Sequence, residues 1–216
     1  MTGQEAVDLL LGRCGNNTDT TFATLALAEL KAAQTELEGE AFKPWFLEQF
    51  YTTAFATTAN TESVALPSTF LLPKDEGGLW YQDTTITTPD QWVKIERDGY
   101  SAIQAYYKDS VSGPPEKYDI VLNTLYFRPF PDAAYSLKMY GFFADSAITL
   151  GGTNLWFTHA ADYVIARAGF RLAGYNLQNK ELANTFGSDV LLARDRLRRV
   201  HEAKLHTDRT YSMGDD

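Results

Sequence analysis

Tyr118 to Ala144, YDIVLNTLYFRPFPDAAYSLKMYGFFA, is the stretch that decides the fold. Two short alternating runs, Asp119-Ile120-Val121-Leu122 and Leu125-Tyr126-Phe127-Arg128, flank Asn123-Thr124. A third run, Ala134 to Phe143, follows the break at Pro129-Phe130-Pro131-Asp132. β-Branched and aromatic residues recurring with period two between turn residues predict a hairpin followed by a longer strand. This is a scaffold signal; it carries no catalytic chemistry.

Working outward, Phe50 to Thr58 and Glu62 to Leu66 read as strands separated by Ala59-Asn60-Thr61, with Pro67 ending the second. Asp75 to Gly78 reads as a turn and Gln91 to Glu96 as a further strand. Asp98 is placed to cap a short helix from Gly99 through Tyr107, with Ile103 and Tyr106 or Tyr107 on its buried side, before Gly113-Pro114-Pro115 breaks the chain. Both ends are helical. Thr2 and Glu5 have capping-box spacing ahead of a first helix ending near Gly12. After a loop at Gly15 to Thr18, Asp19 or Thr20 caps a second helix with Phe22, Leu25, Ala26, Leu30, Ala33 and Leu37 on one face, ended by Gly39 and Pro44. Leu155 to Gly174 carries Ala160, Val164, Ala168 and Leu172 at helical spacing, and Asn179 to Leu205 carries Leu182, Phe186, Val190, Ala193, Leu197 and Val200. His206 to Asp216 has little apolar content and reads as a tail.

At 216 residues and 44% hydrophobic content the chain can bury a substantial core. Its longest apolar runs fall far short of the roughly 20 residues of a membrane-spanning helix, and the N-terminus lacks a basic segment followed by an apolar one. The default is therefore a soluble protein made in a cytoplasm. Cys14 is the single cysteine, which excludes an intrachain disulfide and a thiolate metal cage. The net charge of −9 opposes general attraction to nucleic acid, although an acidic lining lets DNA pass without sticking. The charge is uneven: Val190 to Thr210 holds six basic residues, Arg194, Arg196, Arg198, Arg199, Lys204 and Arg209, against Asp195, Glu202 and Asp208. That segment is either a solvated helix face with cations toward its C-terminus or a docking surface for an acidic partner.

Residues with the chemistry of a reaction are sparse. His159 lies beside Ala160 and Ala161 with no nucleophile motif and reads as a packing or hydrogen-bonding residue; His201 and His206 are five apart and miss the i,i+4 spacing of a helical zinc site. Gly12-x-x-Gly15 and Gly151-Gly152 lack the context of a phosphate-binding loop and read as turns or caps. Glu36, Glu38 and Glu40 stand without a constraint that identifies an acid/base pair, so neither a cofactor nor a metal nor a catalytic residue is assigned. A glycoside hydrolase stays open because its two carboxylates need not be close in sequence. Trp45, Trp80, Trp92 and Trp156, with 12 tyrosines and 13 phenylalanines, are mostly core in the bland reading, and otherwise stack on sugars or form interface hot spots.

The order of several phrases resembles the head-to-tail adaptor (connector) proteins of tailed bacteriophages, most like those of short-tailed phages. They are Ala6-Val7-Asp8-Leu9-Leu10, Pro44-Trp45-Phe46-Leu47, Leu66-Pro67-Ser68-Thr69-Phe70, Gly77-Gly78-Leu79-Trp80, Tyr118 to Pro129, Pro131 to Leu137, and Asn154-Leu155-Trp156. The resemblance implies an α+β fold: a helical bundle from the N-terminal helices (1–45) and C-terminal helices (151–205), an inserted β-rich, sandwich-like domain with one short helix (46–150), and an extended C-terminal arm (206–216). It implies a structural virion protein at the head–tail junction and no enzyme. The partners it implies are the portal protein, a tail or nozzle protein, and further copies of the chain in a portal-templated ring of 12, through which DNA passes without sequence-specific binding. The portal-binding element implied is Arg194 to Asp216, with Arg194, Arg196, Arg198, Arg199, Lys204 and Arg209 meeting carboxylates or carbonyls and Tyr211 as an anchor. The alternatives are a stopper or tail-completion protein, and a cell-wall hydrolase or glycan-binding module.

Overall fold

A computed structural model describes residues 1–15, 20–53, 55–83, 92–107 and 111–211, the side chains at 75–77, 106 and 206–211 excepted. The chain divides into two compact units, Met1–Leu47 with Ala144–Asp216, and Glu48–Phe143. It is an α+β fold with helices at both ends.

The first unit is helical. Helix α1 (Gly3–Arg13) begins on the expected capping box: Thr2 Oγ1 accepts from the Glu5 amide at 3.2 Å while Glu5 Oε2 accepts from the Thr2 amide at 2.8 Å. Gly3 is required there, because a Cβ would lie 2.2 Å from the Thr149 carbonyl oxygen. Helix α2 (Thr20–Gly39) buries Ala26, Leu30, Ala33 and Leu37, whereas Phe22 and Leu25 are only half-buried. The proposed cap Asp19 lies outside the described residues. Lys43 closes the helix by donating to the Glu38 carbonyl at 2.5 Å and to the Glu40 carbonyl, supplying donors for orphan C-terminal acceptors.

The predicted helix from Leu155 to Gly174 is in fact interrupted. Asn154 caps α4 (Leu155–His159), the backbone leaves helical geometry at Ala160 (φ −146°, ψ 34°), and α5 (Ala161–Arg171) restarts from it. No glycine or proline marks this junction, so the apolar periodicity runs through it unbroken. A single π turn, Leu172–Asn176, and Gln178 at φ 51° then reverse the chain into α6 (Lys180–Tyr211). Asn179 caps α6, its Oδ1 accepting from the Leu182 amide at 3.1 Å. The expected tail from His206 is corrected over its first part: α6 continues to Tyr211, and only 212–216 lie outside the described residues. Nothing stops the helix sooner, since the first glycine after Leu205 is Gly214 and no proline follows.

The second unit is a curled seven-stranded mixed sheet in the order β1-β9-β3-β4-β6-β7-β2. Its strands are β1 (Glu48–Tyr51), β2 (Ser63–Ala65), β3 (Phe70–Gln82), β4 (Trp92–Arg97), β6 (Lys117–Val121), β7 (Thr124–Arg128) and β9 (Leu137–Phe143). Only β4–β6 is parallel; β5 (Ser112–Gly113) and β8 (Phe130–Pro131) form a separate parallel pair. Strand β9 alternates buried and half-buried residues along its whole length, and Leu137, Met139 and Phe143 join Leu79, Ile95, Tyr118, Leu125 and Phe127 in one core.

Four local expectations change here. The hairpin turns on Leu122-Asn123, one residue earlier than predicted, with φ of 46° and 65° and Val121 opposite Thr124. A two-residue primed turn needs positive φ at both tip positions, and the predicted tip would force that on β-branched Thr124. The first strand spans only Glu48–Tyr51, and Ala56 makes an isolated bridge to Ser136. Asp75–Gly78 is no turn but lies within β3, where a register shift between Pro73 and Gly78 absorbs the extra residues opposite Gly141 and Tyr140. Asp98 accepts from the amide of Gly99; the first turn of α3 (Tyr100–Tyr106) is held by Asp119, whose Oδ2 accepts from the Tyr100 amide at 2.9 Å. Ile103 is buried as expected, and the Tyr107 hydroxyl donates to Glu116 at 2.7 Å.

Candidate interaction surface on the C-terminal helix

Helix α6 is 32 residues long, about 48 Å at 1.5 Å per residue. Its inner stripe is Ala183, Phe186, Val190, Ala193 and Leu197, all buried; Val200, predicted to continue the stripe, is 41% exposed. The next position on the same line is Lys204, seven residues after Leu197, and it is exposed. Leu205, the last residue of the helix whose side chain is described, is exposed as well. At that end His201 holds it to the segment after α2: the Trp45 amide donates to His201 Nδ1 at 3.1 Å, and Phe42 meets the imidazole edge-on at 5.2 Å. His159 has the packing role expected of it, stacked on Phe46 at 5.2 Å.

The basic residues do not form one patch. Arg194 is half-buried, with its Nε enclosed and unpartnered, near Tyr163. Burial pushes the Tyr163 phenol up to about 12, the Glu40 carboxylate adds to this, and the positive charge of Arg194 and Arg167 opposes it. Arg198, one turn on, lies over the Phe42 ring at 5.5 Å. Arg196 points to another flank and pairs with Asp162 at 3.0 Å. Both partners are over 70% exposed, so the pair is worth about 0–1 kcal/mol. Arg199 and Lys204 are exposed, and the side chains of Arg209 and Tyr211 lie outside those described, although their backbone is helical.

Grooves flank the helix, among them two at Leu191 and Leu192 that the sequence does not announce. One is lined by Leu9, Arg13, Ile165, Asp189, Leu192 and Arg196, the other by Arg167, Phe170, Asn184, Gly187, Ser188 and Leu191. Leu191 and Leu192 are 62% and 65% exposed. A signal was available: neighbours on a helix differ by about 100°, and Leu191-Leu192 falls between the stripe positions Val190 and Ala193. Arg171 pairs with Glu29 at 2.7 Å and Arg167 with Glu36 at 3.0 Å, tying α5 to α2. The Arg167 hydrogen bond, with help from Arg171, holds the Glu36 carboxyl below its ordinary range.

Chemistry of another kind is missing among the described residues. No group of three or more His, Cys, Asp or Glu could hold a metal ion, and no helix is long and apolar enough to cross a membrane. Cys14 is half-buried, and burial pushes its thiol up, away from the reactive thiolate. The buried carboxylate Glu38 is a structural hub whose partners are all fixed: Oε1 accepts from Gln34 at 2.9 Å, the Trp156 indole at 2.9 Å and the Asp145 amide at 3.1 Å.

The chain belongs to the SU10 adaptor protein family, a family of phage head–tail adaptors, which it matches over residues 1–211. No curated protein shows significant similarity to it.

Proposed function

We propose that this chain assembles as a ring beneath the portal, extends the DNA channel toward the tail or nozzle, and grips the portal with the end of α6. The observation that carries the reading is family membership over residues 1–211. Two features support its details. Lys204 and Leu205, near the end of the helix, are exposed, which suits contact with a partner there. The grooves at Leu191 and Leu192 lie on different flanks, and a closed ring is built from two different surfaces of each subunit. A chain of −9 suits a conduit through which DNA moves without adhering.

The test is reconstitution with the purified portal. Mass measurement at micromolar concentration, with and without portal, is expected to give a monomer or low oligomer alone and a ring of 12 on the portal. Removing Lys204 to Asp216 is expected to leave the thermal midpoint unchanged and to weaken capture by portal. Unchanged affinity and occupancy of the truncated chain rule out the helix end as the grip, and a stable ring without portal rules out templating.

A further inference from the structure

The sheet unit carries a second surface that the adaptor reading does not use. Along β9, Leu137, Met139 and Phe143 face the core, which puts Lys138 and Tyr140 on the outer face. Register places Phe50 opposite Tyr140, and Trp80 opposite both Lys138 and Lys94. The Lys138 ammonium is surrounded by three rings, Trp92 at 4.5 Å, Trp80 at 5.4 Å and Phe50 at 5.5 Å. The outer face of a sheet with one core side is ordinarily polar. Here it is aromatic, and Phe50 is 56% exposed.

The charges say what covers it. Glu48 on this face is taken by Lys74 at 2.7 Å and by the Tyr140 hydroxyl, and Glu96 by Lys117. Among the described residues, Lys138 and Lys94 have no carboxylate partner. Lys138 is set among rings, and Lys94 is exposed opposite Trp80 and near Glu96, whose carboxylate Lys117 already pairs, on a chain of −9. A two-fold contact between copies through this face would bring two faces carrying the same lysines together, which is repulsive. A sugar needs a free ring face, whereas Phe50 is stacked on Tyr140 at 4.6 Å and the Trp92 ring already carries Lys138.

We propose that this face docks an acidic segment of a different virion protein, whose carboxylates meet Lys138 and Lys94 while apolar side chains pack at Phe50. The inference rests on the adaptor reading only in requiring the chain to be part of the particle. The experiment replaces Phe50 by the photocrosslinker benzoylphenylalanine in chain supplied to assembling particles, with irradiation of purified particles and mass spectrometry. The expected product joins Phe50's position to an Asp/Glu-rich peptide of another virion protein. The Lys138→Glu, Lys94→Glu double variant is expected to cut its yield about tenfold or more per copy incorporated. If that variant loses its folded circular-dichroism spectrum, Lys138→Met with Lys94→Met, which keeps the stems on the rings, takes its place. Crosslinks only to a second copy, to a glycan or to a segment without carboxylates overturn the proposal, as does a yield indifferent to the lysines. Particles that carry the chain but yield no crosslink sink this inference alone; particles that lack the chain sink the adaptor reading with it.

Discussion

The ring of Phe186 in α6 occupies the space where a side chain of Gly169 in α5 would begin: a Cβ on Gly169 would lie 2.3 Å from Phe186 Cε1. Phe186 is fully buried, and on another side the Arg13 guanidinium of α1 stands 4.3 Å from its ring centre. One aromatic therefore joins three helices, and the missing methyl of a glycine makes the room.

Phe186→Ala is expected to lower unfolding stability by about 3–5 kcal/mol, through lost burial and the cavity left between α5 and α6. Gly169→Ala fails for the opposite reason, overpacking a rigid ring, at about 1–3 kcal/mol. Urea unfolding followed by far-UV circular dichroism measures both. Unchanged midpoints contradict the contact.

Glu38→Ala removes one acceptor from three donors, the Gln34 amide group, the Trp156 indole and the Asp145 backbone amide. Gln34 keeps the Ser146 carbonyl at 3.1 Å, but the indole and the Asp145 amide lose their acceptor; each orphaned buried donor costs about 1–3 kcal/mol before relaxation, so the loss is expected to rank with the core truncation. Glu38→Gln retains one carbonyl oxygen and is expected to cost less. The order of the two variants in thermal unfolding is the check; equal losses mean that charge, and not acceptor count, holds the hub.

Tyr118 is wholly buried in the sheet core, its hydroxyl has no hydrogen-bond partner, and burial pushes its phenol up to about 12. Because the folded value is raised, the neutral form is the one the fold favours. Stability is complete below the ordinary phenol value of about 10 and falls as pH rises toward 12. Tyr118→Phe is expected to be neutral or mildly stabilising at pH 7, since it removes an unsatisfied polar atom, and to flatten the alkaline loss between pH 10 and 12. Thermal midpoints across that range decide it.

Leu122 stands at the hairpin tip, 94% exposed and at φ 46°. Replacing Leu122-Asn123 by Asn-Gly gives the primed turn the residues that adopt positive φ most readily. Removing backbone strain without touching the core is expected to add about 0.5–1 kcal/mol. A lower urea midpoint for the Leu122→Asn, Asn123→Gly variant contradicts the turn geometry.

What was legible in the sequence is local. The capping box at Thr2 and Glu5, the strand at Trp92–Arg97, the alternation of β9 and the stripe from Phe186 to Leu197 follow from periodicity and short-range hydrogen bonding, which nearby residues determine. The order of short phrases also pointed to the adaptor family. Tertiary structure decided what depends on distant partners: that Asp119 rather than Asp98 holds the start of α3, that the chain breaks at Ala160 with no glycine or proline there, and that β3 carries its extra residues as a register shift. The arginines of α6 show the same division. Their number is plain in the sequence, but Arg194 is half-buried near Tyr163, Arg198 lies over Phe42 and Arg196 pairs with Asp162, because each meets whatever neighbouring elements bring to its side of the helix. The cage around Lys138 was likewise invisible: Phe50, Trp80 and Trp92 lie 88, 58 and 46 residues before it, and only strand register sets them together.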